Sequence, residues 1–151
     1  MWDIRFWSLF IIALILTGIV STVKKMRFID VQLIIMTAAL ALSCDMLLCK
    51  QFDLYHYISL DYKGWYSLWA NIVIVPAWGF LFIKLLPKSN LGAALYITVW
   101  TLTSTLFELF VVKPVGVVVY HGWNIIPYSL IGFFLVLTWI YTYYRILISH
   151  K

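Results

Sequence analysis

Five long apolar runs, separated by short polar segments, dominate the pattern along the chain. They cover Phe6–Val23, Phe28–Cys49, Tyr66–Leu86, Gly92–Val112 and Ile125–Tyr144. Each run is close to the roughly 20 residues that an α-helix needs to cross the hydrocarbon core of a bilayer. We therefore predict an all-α integral membrane protein, one domain over residues 1–151, built as a bundle of about five transmembrane helices.

The composition supports this prediction. Hydrophobic residues make up 64% of the chain and charged residues only 11%, whereas soluble domains carry about 25% charged residues. Too few charges remain to cover a water-soluble surface, so the lipid bilayer is the expected partner. The net charge of +5 does not indicate nucleic acid as a partner, because the basic residues are scattered between apolar runs rather than gathered in a patch.

The basic residues are divided unequally between the two ends of the predicted bundle. Seven of the eleven belong to the end that holds the first loop, the third loop and the C-terminus, namely Lys24, Lys25, Arg27, Lys84, Lys88, Arg145 and Lys151. The other end holds Arg5, Lys50, Lys63 and Lys113. Because positively charged loops favour the cytoplasmic side, we predict the N-terminus outside and the C-terminus in the cytoplasm. Lys84 and Arg145 are expected to extend to the lipid headgroups.

The segment Val115–Tyr120 does not fit the helix pattern. It is too short to cross a membrane and too apolar for an ordinary loop, so we interpret it as interfacial or re-entrant. The alternative is that the fifth helix begins early. Within the runs, Pro76 removes a backbone donor and predicts a kink in the third helix. Cys44 and Cys49 lie five residues apart on one helix and are interpreted as small buried side chains without a disulfide.

Acidic residues inside apolar runs are the strongest indication of a site. Asp45 and Glu108 each lie four residues before the end of their run, which places each about 6 Å below the same boundary. Asn71 has a similar depth, and the segment 120–124 enters from the same side. A charge at such depth is costly and usually functional. The predicted binding residues of an outward-facing polar pocket are Asp45, Asn71, Glu108, Tyr120, His121, Trp123 and Asn124.

The chemistry of this pocket favours a proton, a cation or a small molecule. Two neighbouring carboxyl groups cannot both ionise cheaply, so one would retain a proton. The structural alternative, given equal weight, is that both carboxyls only fix the helix register. A divalent metal ion held by Asp45, Glu108 and His121 is a further alternative that spacing alone does not support, and we predict no metal and no cofactor. His56 is interpreted as a solvated loop residue and His150 as part of the tail.

Three classes of function stay open at this point. The first is a membrane protein that binds an ion or a small molecule in the polar pocket. The second is a structural or accessory subunit that assembles with copies of itself or with other membrane proteins through the small residues Ala13, Thr17 and Ser21. The third is a membrane enzyme acting on lipid or envelope precursors, which requires His121 near a carboxylate. An enzyme is disfavoured, because the zinc-helix, nucleophile-elbow and phosphate-loop motifs are absent from the sequence.

Several short motifs follow one another between residues 41 and 144. They are Asp45 followed by Met-Leu-Leu, Pro76, the helix exit Leu86-Pro87-Lys88, Glu108, and the segment Tyr120-His121-Gly122-Trp123-Asn124. Their order resembles a family of small uncharacterised multi-pass membrane proteins from spore-forming Gram-positive bacteria, although this chain has one residue fewer between His121 and Gly122. The resemblance implies a bacterial cytoplasmic membrane and stresses the same Asp, Glu and His residues. It implies no particular activity.

Overall fold

The computed structural model describes residues 3–58 and 64–149 and contains five long helices. They are α1 (Ile4–Val23), α2 (Phe28–Gln51), α3 (Trp65–Lys84), α4 (Asn90–Val115) and α5 (Ile125–Ser149). All five are long and apolar enough to cross a membrane, which confirms the predicted helical class and the number of candidate spans. Compared with the predicted apolar runs, the largest differences are at the ends of α4 and α5, which continue past Val112 and Tyr144. Lys63, His150 and Lys151 lie outside the described residues.

Helix α3 is central in the bundle, and α1 is the most peripheral helix. α3 packs against α1, α2 and α5, and 56% of its most apolar stretch is buried, against 6% for α1. Yet α1 has the higher mean hydropathy, 2.3 against 1.6. In water the most apolar helix would be the most buried one. The reverse order is the pattern expected when apolar side chains face lipid.

Two apolar clusters stabilise the two ends of the bundle. The first joins α2, α3, α4 and α5 through Ile29, Leu33, Phe82, Ile83, Ile97, Leu137 and Ile140. The second, at the other end, consists of Phe6, Ile58, Ala70 and Val117 with surrounding aromatic side chains. Between them, Gly79 allows a close helix crossing, because a Cβ there would lie 3.3 Å from Thr37 and 3.4 Å from Ile140.

A two-stranded sheet covers one end of the bundle. Strand β1 (Tyr55–Tyr57) pairs antiparallel with β2 (Val118–Tyr120), with Tyr55 opposite Tyr120. Gly116, with φ of +75°, turns the chain from α4 towards β2, a conformation that the absence of a Cβ permits. We call the two strands, together with residues 52–54 and 121–124, the cap, and the end of the bundle that carries it the cap end.

Strand β2 corrects the interpretation of the segment Val115–Tyr120. The segment is neither a re-entrant helix nor an early start of α5, because α4 ends at Val115 and α5 begins at Ile125. Pairing with β1 gives its backbone groups hydrogen-bond partners. The β-branched run Val117–Val119 followed by Tyr120 is typical of a strand, so the local signal was present in the sequence.

Each of α2, α3 and α4 contains a π-helical turn, and all three turns lie at the cap end. They cover Met46–Gln51, Ala70–Ile74 and Glu108–Val112, while α5 begins with a kink at Ile126, whose backbone is not helical. In α3 the widened turn directly precedes Pro76, so the disruption predicted for this proline takes the form of a wider turn in a continuous helix. π-Helical turns often mark functional sites.

Lys84 and Asp30 form a buried ion pair at the opposite end of the bundle. Lys84 Nζ lies 2.5 Å from Asp30 Oδ2, and the two side chains are 6% and 1% exposed. The same ammonium group donates to the carbonyl of Lys25, and the backbone N–H of Arg27 donates to Asp30. The prediction that Lys84 extends to the headgroups is therefore wrong. It overlooked Asp30, an acidic residue within the second apolar run.

The small-residue face of α1 is turned towards α3 of the same chain. Ala13, Thr17 and Ser21 are half-buried and continue the side on which Phe6 and Phe10 pack against aromatic residues of α3. Assembly with a partner helix or a second copy through these residues stays a prediction. Cys44 and Cys49 form no disulfide, and Cys49 is buried.

Candidate functional site

Asp45, at the cap end of α2, is buried and accepts hydrogen bonds from hydroxyl groups of two other elements. Ser67 Oγ of α3 donates to one carboxylate oxygen, and the Tyr55 hydroxyl of β1 lies 3.3 Å from the other. Asn71 is also buried, and its Nδ2 donates to the Ser67 carbonyl at 2.9 Å. Asn71 therefore joins this group through the backbone of the residue that binds Asp45.

Glu108 of α4 is bound in a similar way by a hydroxyl group from β2. The Tyr120 hydroxyl donates to Glu108 Oε1 at 2.7 Å, and Ser129 of α5 lies close to this carboxylate. Trp123 Nε1 in turn donates to Ser129 Oγ at 2.8 Å. The cap is thus tied to the bundle through the Glu108 carboxylate.

Tyr57 lies within the electrostatic influence of both carboxylates. Burial raises the pKa of its phenol above the usual range, and the negative charges of Asp45 and Glu108 raise this pKa further. Burial also raises the pKa of Tyr55 and of Tyr120, whose hydroxyls bind the carboxylates. At neutral pH the phenols are therefore uncharged, and those of Tyr55 and Tyr120 act as donors. We call Asp45, Glu108 and the tyrosines Tyr55, Tyr57 and Tyr120 the carboxyl–tyrosine layer.

The two carboxylates of this layer have neutral partners. Within residues 3–58 and 64–149, neither Asp45 nor Glu108 forms an ion pair with a basic side chain. A carboxyl group removed from bulk water and bound only by neutral donors can take up a proton or bind a cation, because no lysine or arginine already neutralises it.

The pleat of the cap sheet separates His121 from the two carboxylates. Successive side chains of a strand point to opposite faces, so Tyr55, Tyr57 and Tyr120 face the bundle while His56 and His121 lie on the outer face. The ring centroids of the two histidines are 4.6 Å apart. His56 is thus half-buried on a strand, and its interpretation as a solvated loop residue is wrong.

The surroundings of His121 bear on two predictions: the metal site and the pocket that His121 was expected to share with the carboxylates. Its Nδ1 lies 3.9 Å from Asp53 Oδ2. In the part of the chain that the structure describes, the one group of His, Cys, Asp and Glu side chains at metal-ligand spacing is Asp53, His56 and His121. The metal site imagined from Asp45, Glu108 and His121 is therefore wrong, as is the placement of His121 in one pocket with these carboxylates.

Asn124 and Trp123 complete the set of predicted residues. Trp123 belongs to the Glu108 group through Ser129, and its ring centroid lies 6.1 Å from that of Tyr55. Asn124 is exposed and contributes its backbone, since its carbonyl accepts the N–H of Tyr128 at 3.1 Å. Over β2 and this segment lies an open groove of about 520 Å³ that exposes His121.

Comparisons with known proteins leave the site geometry as the basis for a functional inference. No protein-family model matches the chain, and no curated protein and no solved structure matches it. The family resemblance carried by Asp45, Pro76, Glu108 and the segment 120–124 therefore stays a prediction. Function has to be argued from the site.

Sequence reasoning missed Tyr55 and Ser67 as hydrogen-bond partners of Asp45, and Tyr57 and Ser129 as neighbours of the carboxylates. The alternation Tyr-His-Tyr at 55–57, together with the valine run before Tyr120, is a strand signal that would have placed the tyrosines on one face. Ser67 and Ser129 carry no comparable signal, because many other hydroxyl residues occur in the apolar runs.

Proposed function

We propose that this chain is a multi-pass membrane protein that takes up a proton or a small cation in the carboxyl–tyrosine layer. One observation carries the proposal. Asp45 and Glu108 are bound by hydroxyl groups and, among the described residues, by no basic side chain, whereas Asp30 is neutralised by Lys84. Carboxyl groups in such surroundings are available for a proton or a cation.

The membrane setting is supported by the burial of the helices. The most apolar helix, α1, is the least buried, and many of its large aliphatic side chains are exposed. A surface of this kind is stable against lipid and not against water. The excess of Lys and Arg at the end opposite the cap favours a topology with the cap outside and the C-terminus in the cytoplasm. The family resemblance adds a bacterial cytoplasmic membrane to the proposal.

The local backbone supports a site at the cap end. Asp45 immediately precedes one π-helical turn and Glu108 begins another. Asn71 lies within the remaining turn, and Ser129 follows the kink at Ile126 in α5. Each wide turn shifts side chains from the positions that a regular helix would give them, and such turns persist mainly where function requires the altered geometry.

Infrared difference spectroscopy of the full chain in lipid vesicles tests the proposal. We expect acidification to add a protonated-carboxyl C=O band that is reduced in Asp45→Asn and in Glu108→Gln. A cation that competes with the proton, tested with sodium, potassium and calcium chloride, should shift the band to lower pH. Asp3→Asn is the matched control, since Asp3 forms an ion pair with Arg5 at the surface.

The opposite result has an equally definite meaning. If both variants keep the wild-type band and no cation changes it, the two carboxyls only fix the position of the cap on the helices. The proposed uptake of a proton or cation would then be abandoned in favour of the structural alternative.

A further inference from the structure

The outer face of the cap carries two imidazoles and a carboxylate close together. The ligand atoms of Asp53, His56 and His121 all lie within 4.8 Å of one another. The two imidazole rings meet edge to face, with an interplanar angle of 67°. We propose that these three side chains form a binding site for a divalent transition-metal ion of the zinc type, outside the carboxyl–tyrosine layer.

The cap backbone holds the three ligands in place from two directions. His56 lies opposite Val119 in the strand pair, so it shares a face with His121, two residues further along the neighbouring chain segment. The Leu54 carbonyl accepts the backbone N–H groups of His121, Gly122 and Trp123 at 3.0, 3.1 and 3.2 Å. This connection fixes His121 relative to the residue that directly follows Asp53.

Asp53 itself has an unusual backbone conformation. Its φ of +49° lies in the left-handed region, which non-glycine residues seldom adopt and which aspartate tolerates better than most. The turn at this position leads from the end of α2 into β1 and places the carboxylate beside His121. Asp53 therefore joins the histidines through the fold of the chain and not through sequence spacing.

The donor set suits an ion of intermediate softness. Two imidazole nitrogens and one carboxylate oxygen are ligands of Zn²⁺ and of Co²⁺, Ni²⁺ or Cu²⁺, while Mg²⁺ and Ca²⁺ require more oxygen ligands. Metal–ligand bonds of about 2.0–2.2 Å in tetrahedral geometry separate ligand atoms by about 3.4 Å. Side-chain rotation has to bring atoms that lie within 4.8 Å together by about 1.4 Å at most, which exposed side chains allow.

The site is open to solution. The side chains of Asp53 and His121 are 75% and 48% exposed, and His121 borders the groove over β2. Three protein ligands leave the fourth position of a tetrahedral ion for water or for an incoming group. Such a site suits an ion that is exchanged with the surroundings, and it lies on the face of the sheet opposite to the tyrosines. It extends beyond the proposed function and does not depend on it.

A simpler explanation is that His121 and Asp53 only attract each other when the imidazole is protonated. This explanation involves His121 and Asp53 alone. It gives no role to His56, which packs against His121 although two imidazolium ions would repel each other. Metal binding accounts for all three side chains, because both imidazoles ligate in their neutral form.

Cobalt and zinc titrations of the full chain in detergent test the inference. The protein is purified with a tag that contains no histidine and is treated with a chelator beforehand. Co²⁺ should produce visible absorption bands of a nitrogen–oxygen site at one ion per chain, and Zn²⁺ should remove them. His56→Ala, His121→Ala and Asp53→Asn should each weaken binding by at least about tenfold.

The controls make the outcome decisive. His150→Ala removes the third histidine of the chain and should leave the affinity unchanged, and circular dichroism should show that all variants keep their helices. The proposal is overturned if the three site variants bind as tightly as the wild type, or if His150→Ala weakens binding as much as they do. It is also overturned if excess Ca²⁺ displaces Co²⁺, since the site would then be a general cation attractor.

Discussion

The two ends of the helix bundle bury carboxylates in different ways. At the end opposite the cap, Asp30 meets the ammonium group of Lys84 at 2.5 Å and accepts a further bond from the Arg27 backbone. At the cap end, Asp45 and Glu108 meet serine and tyrosine hydroxyls. The described part of α2 to α5 also has all of its π-helical turns at the cap end.

The carboxylate at one end is held in an ion pair, whereas the carboxyl groups at the other end have no cationic partner among the described residues. A buried ion pair with excellent geometry has a fixed charge state, and removing one partner leaves the other uncompensated. A carboxyl bound by hydroxyls is satisfied both when it is ionised and when it is protonated, because hydroxyl groups donate and accept. The proposed function therefore requires that the cap end changes its charge without losing its fold.

The largest expected effect comes from breaking the ion pair. Lys84→Met leaves Asp30 buried without its cation, and we expect the free energy of unfolding to fall by about 3–5 kcal/mol. Unfolding in mixed micelles with increasing denaturing detergent measures it. Lys88→Met is the control, because Lys88 is exposed. The double variant Asp30→Leu with Lys84→Met should regain much of the loss, and a failure to do so would show that packing and not charge dominates at this end.

A smaller effect is expected from removing one hydroxyl at the cap end. Tyr120→Phe deletes the 2.7 Å hydrogen bond to Glu108 while Ser129 still contacts this carboxylate, so the cost should be about 1–2 kcal/mol. The same unfolding assay compares it with Tyr128→Phe, whose residue is 46% exposed. A loss as large as that of Lys84→Met would contradict the distinction between the two ends.

The smallest effect at neutral pH concerns ionisation of the cap tyrosines. The pKa of Tyr55, Tyr57 and Tyr120 is raised, so these three of the ten tyrosines should form phenolate at a higher pH than tyrosine in the unfolded chain. Because tyrosine in the unfolded chain ionises at about pH 10, the contribution of these phenols to stability should be constant below that pH and fall above it. Phenolate absorbance measures the titration.

The triple variant with phenylalanine at positions 55, 57 and 120 sharpens this test. Its late phase should be smaller than that of the wild type, while the unfolded wild-type protein should titrate in a single step. If the late phase is as large in the triple variant as in the wild type, the late-titrating tyrosines lie elsewhere and the layer is more hydrated than the structure implies.

The sequence predicted the depth of several site residues, but it did not predict which side chains lie together. Asp45, Asn71 and Glu108 could be placed at one depth, because rise per residue converts position in a helix into distance along it. Lys84 was misjudged because a lysine near a helix end usually extends to the surface, and its partner Asp30 lies on another helix. His121 was misjudged because strand β2 was not recognised in the sequence. Successive side chains along a strand point to opposite faces, so His121 and Tyr120 lie on different sides of the sheet.

The apolar runs alone determined the number of helices, their approximate bounds and the unsuitability of the surface for water. Those properties are local, since they depend on run length and on composition within one segment. The tertiary structure alone decided which polar groups meet. Tyr55 pairs with Tyr120, and Asp30 with Lys84, across long stretches of chain. Such contacts depend on helix packing and strand register, which no single segment specifies.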